Sequence, residues 1–435
     1  GSVSLTGAST AGPLNGTGAS NRVDLKITAA TSSLTLTVAG SVTSARLSAV
    51  TYETAFRSPD DVDNTASAYY GPRIDYDPNT LAVKGLLIEE ARTNIALQSS
   101  DLSNAAWQLS DTTGTLPTVT ANAGTALTGL NTAAKVSINR SNVVDRNGVY
   151  QLFTGTAAPY TGTFWVKAFD VADIGKQITV RPFNGTTVGT VATITLTSSY
   201  QPVSATQTMA AAVCTFLVGY TENIGSQTGP VSFLVSGAQF EAGSFATSYI
   251  PTAAASVTRA ADVVQFTGTA LTALQGIAGA AIVEMTALPG ATAGSGIIIG
   301  GASGVAFMFE NSNTVAVTYD VSSSPTLAAA TAGTSSFTGG IRAGVSWNAS
   351  ARSIVLGGGT VGTVASGFTG SRASVGLGSY AGGSQPANSW VKSFAIYNQR
   401  LPDATLQAKS VVGASYAAND NGLRFADNDN LPILW

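Results

Sequence analysis

Apolar and polar residues alternate along much of this chain in runs too short for ordinary helices. Residues 23–28 and 34–38 switch character at almost every position, the period of a strand with one face buried. Residues 164–168, 177–182, 191–196 and 231–235 read as strands farther on, and residues 281–285, 296–300, 315–319, 341–347, 353–356 and 393–397 as further strands. Turn residues separate these runs at the spacing of antiparallel sandwiches. A helical signal stands at residues 401–406, where Pro402 and Asp403 suit a first turn. The pattern predicts an all-β chain of tandem antiparallel β-sandwiches with few short helices.

Shifts in composition divide the chain. Residues 1–57, rich in Thr, Ser, Gly and Ala, read as a small N-terminal β domain or docking region. Residues 58–84 hold turn residues, acids and tyrosines and read as a linker. Residues 85–262 and 263–412 read as two sandwich modules, and residues 413–435, Asn/Asp-rich with an apolar end, as a C-terminal arm. An internal echo aligns residues 44–56 with 237–249 without gaps, matching Ala45, Ala49 and Thr54 to Ala238, Ala242 and Thr247. Either the N-terminal region is a shortened relative of the central module, or a composition this biased produces the match by chance.

Composition narrows the function. Charged residues make up 10% of the chain, well under the usual ~25%. Mean hydropathy is positive, at +0.22, yet no run approaches the ~18 apolar residues of a membrane span. The net charge of −3 is spread without blocks, which argues against a nucleic-acid footprint. Cys214, the single cysteine, sits in an apolar run and reads as a buried, inert thiol. No disulfide framework can form within one chain, so packing or subunit contacts must hold the fold. Histidine is absent, which removes the commonest general base, the commonest zinc ligand and every histidine-based triad. The chain opens Gly1-Ser2, so targeting is not legible at its start.

Two motifs bracket the central module. Gly85-Leu-Leu-Ile-Glu-Glu-Ala-Arg-Thr-Asn94, followed by Leu102-Ser-Asn-Ala-Ala-Trp107, resembles the opening of carbohydrate-binding-like jelly rolls in phage tail and capsid-associated proteins. Gln239-Phe-Glu-Ala-Gly243, Thr247-Ser-Tyr-Ile-Pro-Thr252 and Arg259-Ala-Ala-Asp262 resemble the closing strand of that module and its hand-off to the next. The third module resembles a concanavalin-A-like (laminin-G-like) sandwich through Ala343-Gly-Val-Ser-Trp347, Val375-Gly-Leu-Gly-Ser379 and Trp390-Val-Lys-Ser-Phe-Ala-Ile-Tyr-Asn398. The resemblance implies a spike or fibre protein on the surface of a phage or a phage-like gene transfer particle, adhering to host cell-surface polysaccharide. It also implies a homo-oligomer, whose several weak sites would act together, attached to other virion proteins through its N-terminal region. Neither nucleic-acid binding nor membrane insertion is expected.

Glycan recognition usually needs an aromatic platform for the apolar sugar face. Trp107, Tyr150, Tyr160, Trp165 and Tyr380 are the candidates. Trp107 and Trp165 also suit a core role, as do Trp347 and Trp390. Tyr380 sits among glycines, where loops carry recognition. The acids Asp60, Asp61, Asp63, Asp75, Asp77, Asp427 and Asp429 fit turn capping better than a calcium loop, so no metal or cofactor is expected. Glu89 and Glu90 are adjacent, and a strand would send them to opposite faces; Glu284 and Glu310 belong to separate strands. The carboxylate pair of a glycosidase is not legible, and a non-enzymatic chain is expected. The alternative is a purely structural spike or decoration subunit; a glycan-degrading enzyme comes third. Exposure of Tyr150, Tyr160 and Tyr380 separates the first two.

Overall fold

The computed structural model describes residues 2–7, 14–15, 34–39, 73–76, 82–112, 115–126, 132–140, 146–221, 227–291, 297–301, 305–311, 315–319, 328–331, 340–370, 372–413 and 423–425. The chain divides into two compact units, Gly1–Ala55 and Phe56–Trp435. In the first, Ser2–Gly7 lies between Leu14–Asn15 and Leu34–Ala39 in an antiparallel sheet, with Leu5 opposite Leu36. Thr35 and Thr37 are exposed, matching the polar phase of that run. The predicted strand at residues 23–28 and the echo at 44–56 lie outside the described residues.

The second unit is all-β, with two sandwiches and two short helices among its described residues. The first sandwich faces one five-stranded antiparallel sheet with another. One runs Ala192–Thr195, Gln177–Phe183, Val213–Tyr220, Asn147–Thr154, Gln108–Asp111. The other runs Gln201–Thr208, Pro159–Ala168, Gly229–Ala242, Ala133–Arg140, Thr118–Gly124. Alternate residues turn inward and meet in a core built on Phe153, Phe164, Phe216, Phe233 and Phe240. Phe153 stacks on Phe216 with centroids 5.8 Å apart. Cys214 is buried in the same core.

The second sandwich has unequal sheets. Its large sheet runs Gly362–Val364, Arg352–Leu356, Ile341–Trp347, Gly279–Ala287, Ser389–Tyr397, Val83–Ile88, Ile74–Tyr76, and Leu423–Phe425 also pairs with Ser389–Tyr397. Five strands face it: Ala328–Thr331, Val315–Tyr319, Ala306–Asn311, Ile297–Gly301 and Val375–Leu377. Trp347 and Phe307 meet edge to face between the sheets, 5.1 Å apart. Helix Asp403–Lys409 covers part of the outer face, where Leu406 packs with Ile282, Val355 and Tyr397. Pro402 is the residue before that helix rather than its first. The other helix, Gly268–Gln275, has no strong sequence signal because it opens on glycine and threonine.

Module boundaries differ from the sequence partition in an informative way. Val83–Ile88 carries the start of the opening motif, yet it pairs with Ser389–Val391 and with Ile74–Tyr76 in the second sandwich. Residues 58–84, expected as a linker, thus contribute an edge strand, and residues 413–435 contribute Leu423–Phe425. The jelly roll is inserted between strands of the sandwich that follows it. Gly85 makes this pairing close: its φ is +128° and an added Cβ would lie 2.4 Å from the Val391 carbonyl oxygen. Both faces of the strand are covered, with Leu86 and Ile88 in the second core and Leu87 against Phe245 and Leu288. That explains an unbroken apolar run where alternation would mark a half-buried strand.

Candidate functional site

The two bracketing motifs converge. Arg92–Asn94 pairs with Val257–Arg259 in a short antiparallel ribbon beside the jelly roll. The Asn94 amide, fully buried, donates to the carbonyls of Ala238 (3.0 Å) and Ile250 (2.8 Å) and accepts from the N–H groups of Ala96 (3.0 Å) and Phe240 (2.9 Å). Both donors and both lone pairs are in use, which no other side chain of that size could reproduce. Glu241 accepts from Gln239 Nε2 (2.9 Å), the Thr247 N–H (2.8 Å) and the Thr247 hydroxyl (2.7 Å). Burial pushes the Glu241 carboxyl above its ordinary range despite these donors and nearby Arg92.

A buried ionic cluster joins this latch to the second sandwich. The Glu89 carboxylate takes Arg73 Nη1 at 2.8 Å, Arg259 Nη1 at 2.7 Å, and the Ser248 N–H and hydroxyl at 2.8 and 2.7 Å. Arg73 also pairs with Asp262, which accepts the Glu89 N–H at 2.8 Å. Burial alone would raise the Glu89 carboxyl, but Arg259 and Arg73 outweigh it and hold the group below its ordinary value. Beside it, Glu90 exchanges two hydrogen bonds with Asn388 and pairs with Arg92, whose guanidinium lies 4.6 Å from the Phe245 ring centre. These carboxylates are held by internal partners, and the motif fastens the two sandwiches together.

The five aromatic candidates do not converge. Trp107 and Tyr160 are both buried in the jelly-roll core. Trp107 packs on Phe164 and Phe240, and its indole N–H donates to the Gln98 carbonyl at 3.2 Å. Tyr160 shares the inward phase of Phe164, and its ring lies 5.5 Å from that of Phe153. Neither ring can serve as a sugar platform. Trp165 has the opposite phase and is half-buried against Tyr249, centroids 5.0 Å apart. Tyr380 is half-buried in a tight turn of the second sandwich closed by Gly383. Tyr150 is half-buried on the outward face of the first jelly-roll sheet. Trp347 is core, whereas Trp390 is half-buried near the seam and donates to Asp75 at 2.7 Å. The other acid-cluster residues, Asp60, Asp61, Asp63, Asp77, Asp427 and Asp429, lie outside the described residues. Glu284 pairs with Arg342 at 3.3 Å.

Register assembles a surface around Tyr150. One cross-strand row reads Gln108, Tyr150, Leu217, Arg181; the next reads Leu152, Thr215, Phe183, Val188; a third reads Thr154, Val213. Directly opposed residues share a face, and Phe153, Phe216 and Val180 occupy the other. Leu217 leans over Gly148, where an added Cβ would come 2.7 Å from its δ-carbon, and Arg181 is buried with its guanidinium 5.9 Å from the Phe183 ring centre. The open part of the face is therefore Gln108, Leu152, Thr154, Val213 and Val188, with Tyr150, Phe183 and Thr215 half-buried among them. Leu152, Val188 and Val213 escape sequence reading because an apolar residue at an outward position stands out only once the strand's phase is known.

No protein-family description and no curated protein matches this chain. Among solved structures, the CBM22-1–GH10 modules of Clostridium thermocellum endo-1,4-beta-D-xylanase 10B, complexed with xylohexaose, show 16% identity and a TM-score of 0.25. The match covers 38% of this chain and 30% of that one, so the chain spans under a third of that protein's length.

Proposed function

We propose that this chain is a non-catalytic subunit on the surface of a phage or phage-like particle, and that it adheres to cell-surface polysaccharide through the outer face of its jelly roll. The observation that carries the reading is the row structure around Tyr150: a half-buried aromatic ring beside exposed Gln108 and Leu152, with hydroxyls and further apolar residues in the adjoining rows. Such a surface suits a sugar ring, whose apolar face stacks while its edge hydroxyls find polar partners. A binding role rather than a catalytic one fits a chain without histidine whose motif carboxylates are held in internal pairs. The particle location, attachment through the N-terminal region and assembly into a homo-oligomer rest on the sequence resemblance. Several copies acting together would supply useful avidity from weak sites.

A structural subunit is the second reading, and one observation favours it: the motif residues turn inward and fasten two sandwiches. A glycan array and a cell-binding assay with the purified chain separate the two. Binding that falls by about tenfold or more in Tyr150→Ala, a loss typical of a contact hot spot, supports adhesion. Blank arrays and cells leave the structural reading, and release of sugar from capsule polysaccharide would replace both with an enzyme.

A further inference from the structure

The other jelly-roll sheet carries two lysines on its outward face. Register sets Thr120, Lys135, Leu234 and Lys167 in one cross-strand row. Thr118, Ser137 and Ser232 form the next row on that face, and Phe169 follows, its N–H bonded to the Ser232 carbonyl. The row between them, Val136, Phe233 and Ala168, points into the core, so these two rows point out. The Lys135 ammonium stands 3.8 Å from the Phe169 ring centre, and the Lys167 ammonium 4.6 Å from that of Tyr200. A ring face attracts the cation but does not take up its N–H donors as a carboxylate would. Each ammonium is thus held in place with donors to spare. Among the described residues no carboxylate pairs with either lysine, whereas Lys84 pairs with Asp75 and Lys176 with Asp173. The acids of the adjoining turn are engaged: Asp170 accepts the Ala172 N–H, and Asp173 also accepts the Ser232 N–H. In a chain of net charge −3, two cations in one row without an acid single out this face.

Resting on the reading that the jelly roll takes glycans, we infer that this second face binds an acidic polysaccharide with one uronic carboxylate in each disaccharide. Lys135 and Lys167 lie on strands with one strand between them, which puts their backbones about 10 Å apart, two interstrand spacings. A disaccharide is about that long, so a polymer crossing the strands offers successive carboxylates to the two ammonium groups. The Ser137 and Ser232 hydroxyls, 2.9 Å apart, and the exposed Phe169 ring lie beside the same path, ready for sugar hydroxyls and an apolar sugar face. A densely sulfated polymer would find only two cations for its many charges.

Calorimetry on the full chain tests this with hyaluronan and unsulfated chondroitin, each before and after reduction of its carboxylates to alcohols. Reduction should weaken binding of at least one polymer by about tenfold or more, and added salt should weaken the unreduced form. Lys135→Gln and Lys167→Gln should each cause a comparable loss. Lys135→Arg and Lys167→Arg, which keep the charge, should retain the affinity. Tyr150 belongs to the opposite sheet, so Tyr150→Ala should leave this binding unchanged; a loss there moves the polymer to the other face and overturns the inference. Equal binding before and after reduction overturns it, as does binding insensitive to both Gln substitutions, and the glycan reading through Tyr150 survives either result. No binding of either unreduced polymer also overturns it, and Tyr150→Ala on the glycan array then decides the wider reading separately. Val171 and Ile174 are 83% and 46% exposed on the adjoining turn. Lysine-dependent binding to phosphatidylserine vesicles, with both polymers blank, would assign the face to a lipid surface and overturn the inference as well.

Discussion

Glu89 and Ser248 stand 159 positions apart in the chain, yet Ser248 gives the Glu89 carboxylate both its N–H, at 2.8 Å, and its hydroxyl, at 2.7 Å. Glu89 follows a strand of the second sandwich, and Ser248 lies on the segment that closes the jelly roll. Two arginines complete the carboxylate's surroundings. The contact shows what the two motifs do jointly: each supplies half of one buried joint.

Replacing Glu89 with glutamine should cost roughly 3–5 kcal/mol, because Arg73 and Arg259 stay buried with their common counter-charge gone. Denaturant unfolding of the full chain measures this. The free carboxyl titrates near 4.5 and the folded one below it. The Glu89 contribution is therefore complete above the ordinary value and disappears as pH falls through the lower, folded one. Wild-type stability should drop across that acid window, and the Glu89→Gln chain should show a shallower drop.

Glu241 should behave oppositely. Burial raises its carboxyl, so ionisation weakens the fold as pH rises from the ordinary value of 4.5 through the folded one. Glutamine can keep the bonds to Gln239 and Thr247, with its amide donating to the threonine hydroxyl. Glu241→Gln should match or exceed wild-type stability at pH 7, and its unfolding midpoint should vary less above pH 4.5. A large loss at pH 7 would mean that pairing with Arg92 outweighs burial.

Asn94→Asp tests the latch by an almost isosteric change. The carboxylate still accepts from Ala96 and Phe240 but cannot donate to Ala238 or Ile250. Two carbonyls lose their partner and face a buried charge, and a loss of about 2 kcal/mol or more is expected in thermal or denaturant unfolding.

Gly85→Ala tests the insertion. The new Cβ would collide with backbone, the Val391 carbonyl oxygen, and the φ of +128° is one that alanine rarely adopts. The strand Val83–Ile88 should loosen from Ser389–Tyr397. Hydrogen exchange should accelerate at the amides of these paired strands more than in the jelly-roll core around Phe240.

The alternation of residues 177–182 and 341–347 determines strands by itself, because a two-residue period matches a pleated backbone, although burial is decided by the neighbours, which cover both faces of these strands. The motifs around Asn94 and Thr247 mark in the sequence where the central module opens and closes, whereas their meeting in one buried joint of amides, hydroxyls and carboxylates is decided by the fold. What sequence could not decide is which sheet receives the Gly85-Leu-Leu-Ile88 run, since an apolar strand buried on both faces fits either sandwich until its neighbours are present. Nor could it decide the fate of Tyr160, Trp165 and Leu152. Adjacent strand residues point to opposite sides, so a bulge such as the one between Trp165 and Val166, or a one-residue change in register, exchanges core for surface. That phase is set by the partner strands, and it sends Tyr160 inward, Trp165 under Tyr249, and Leu152 to the open face beside Tyr150.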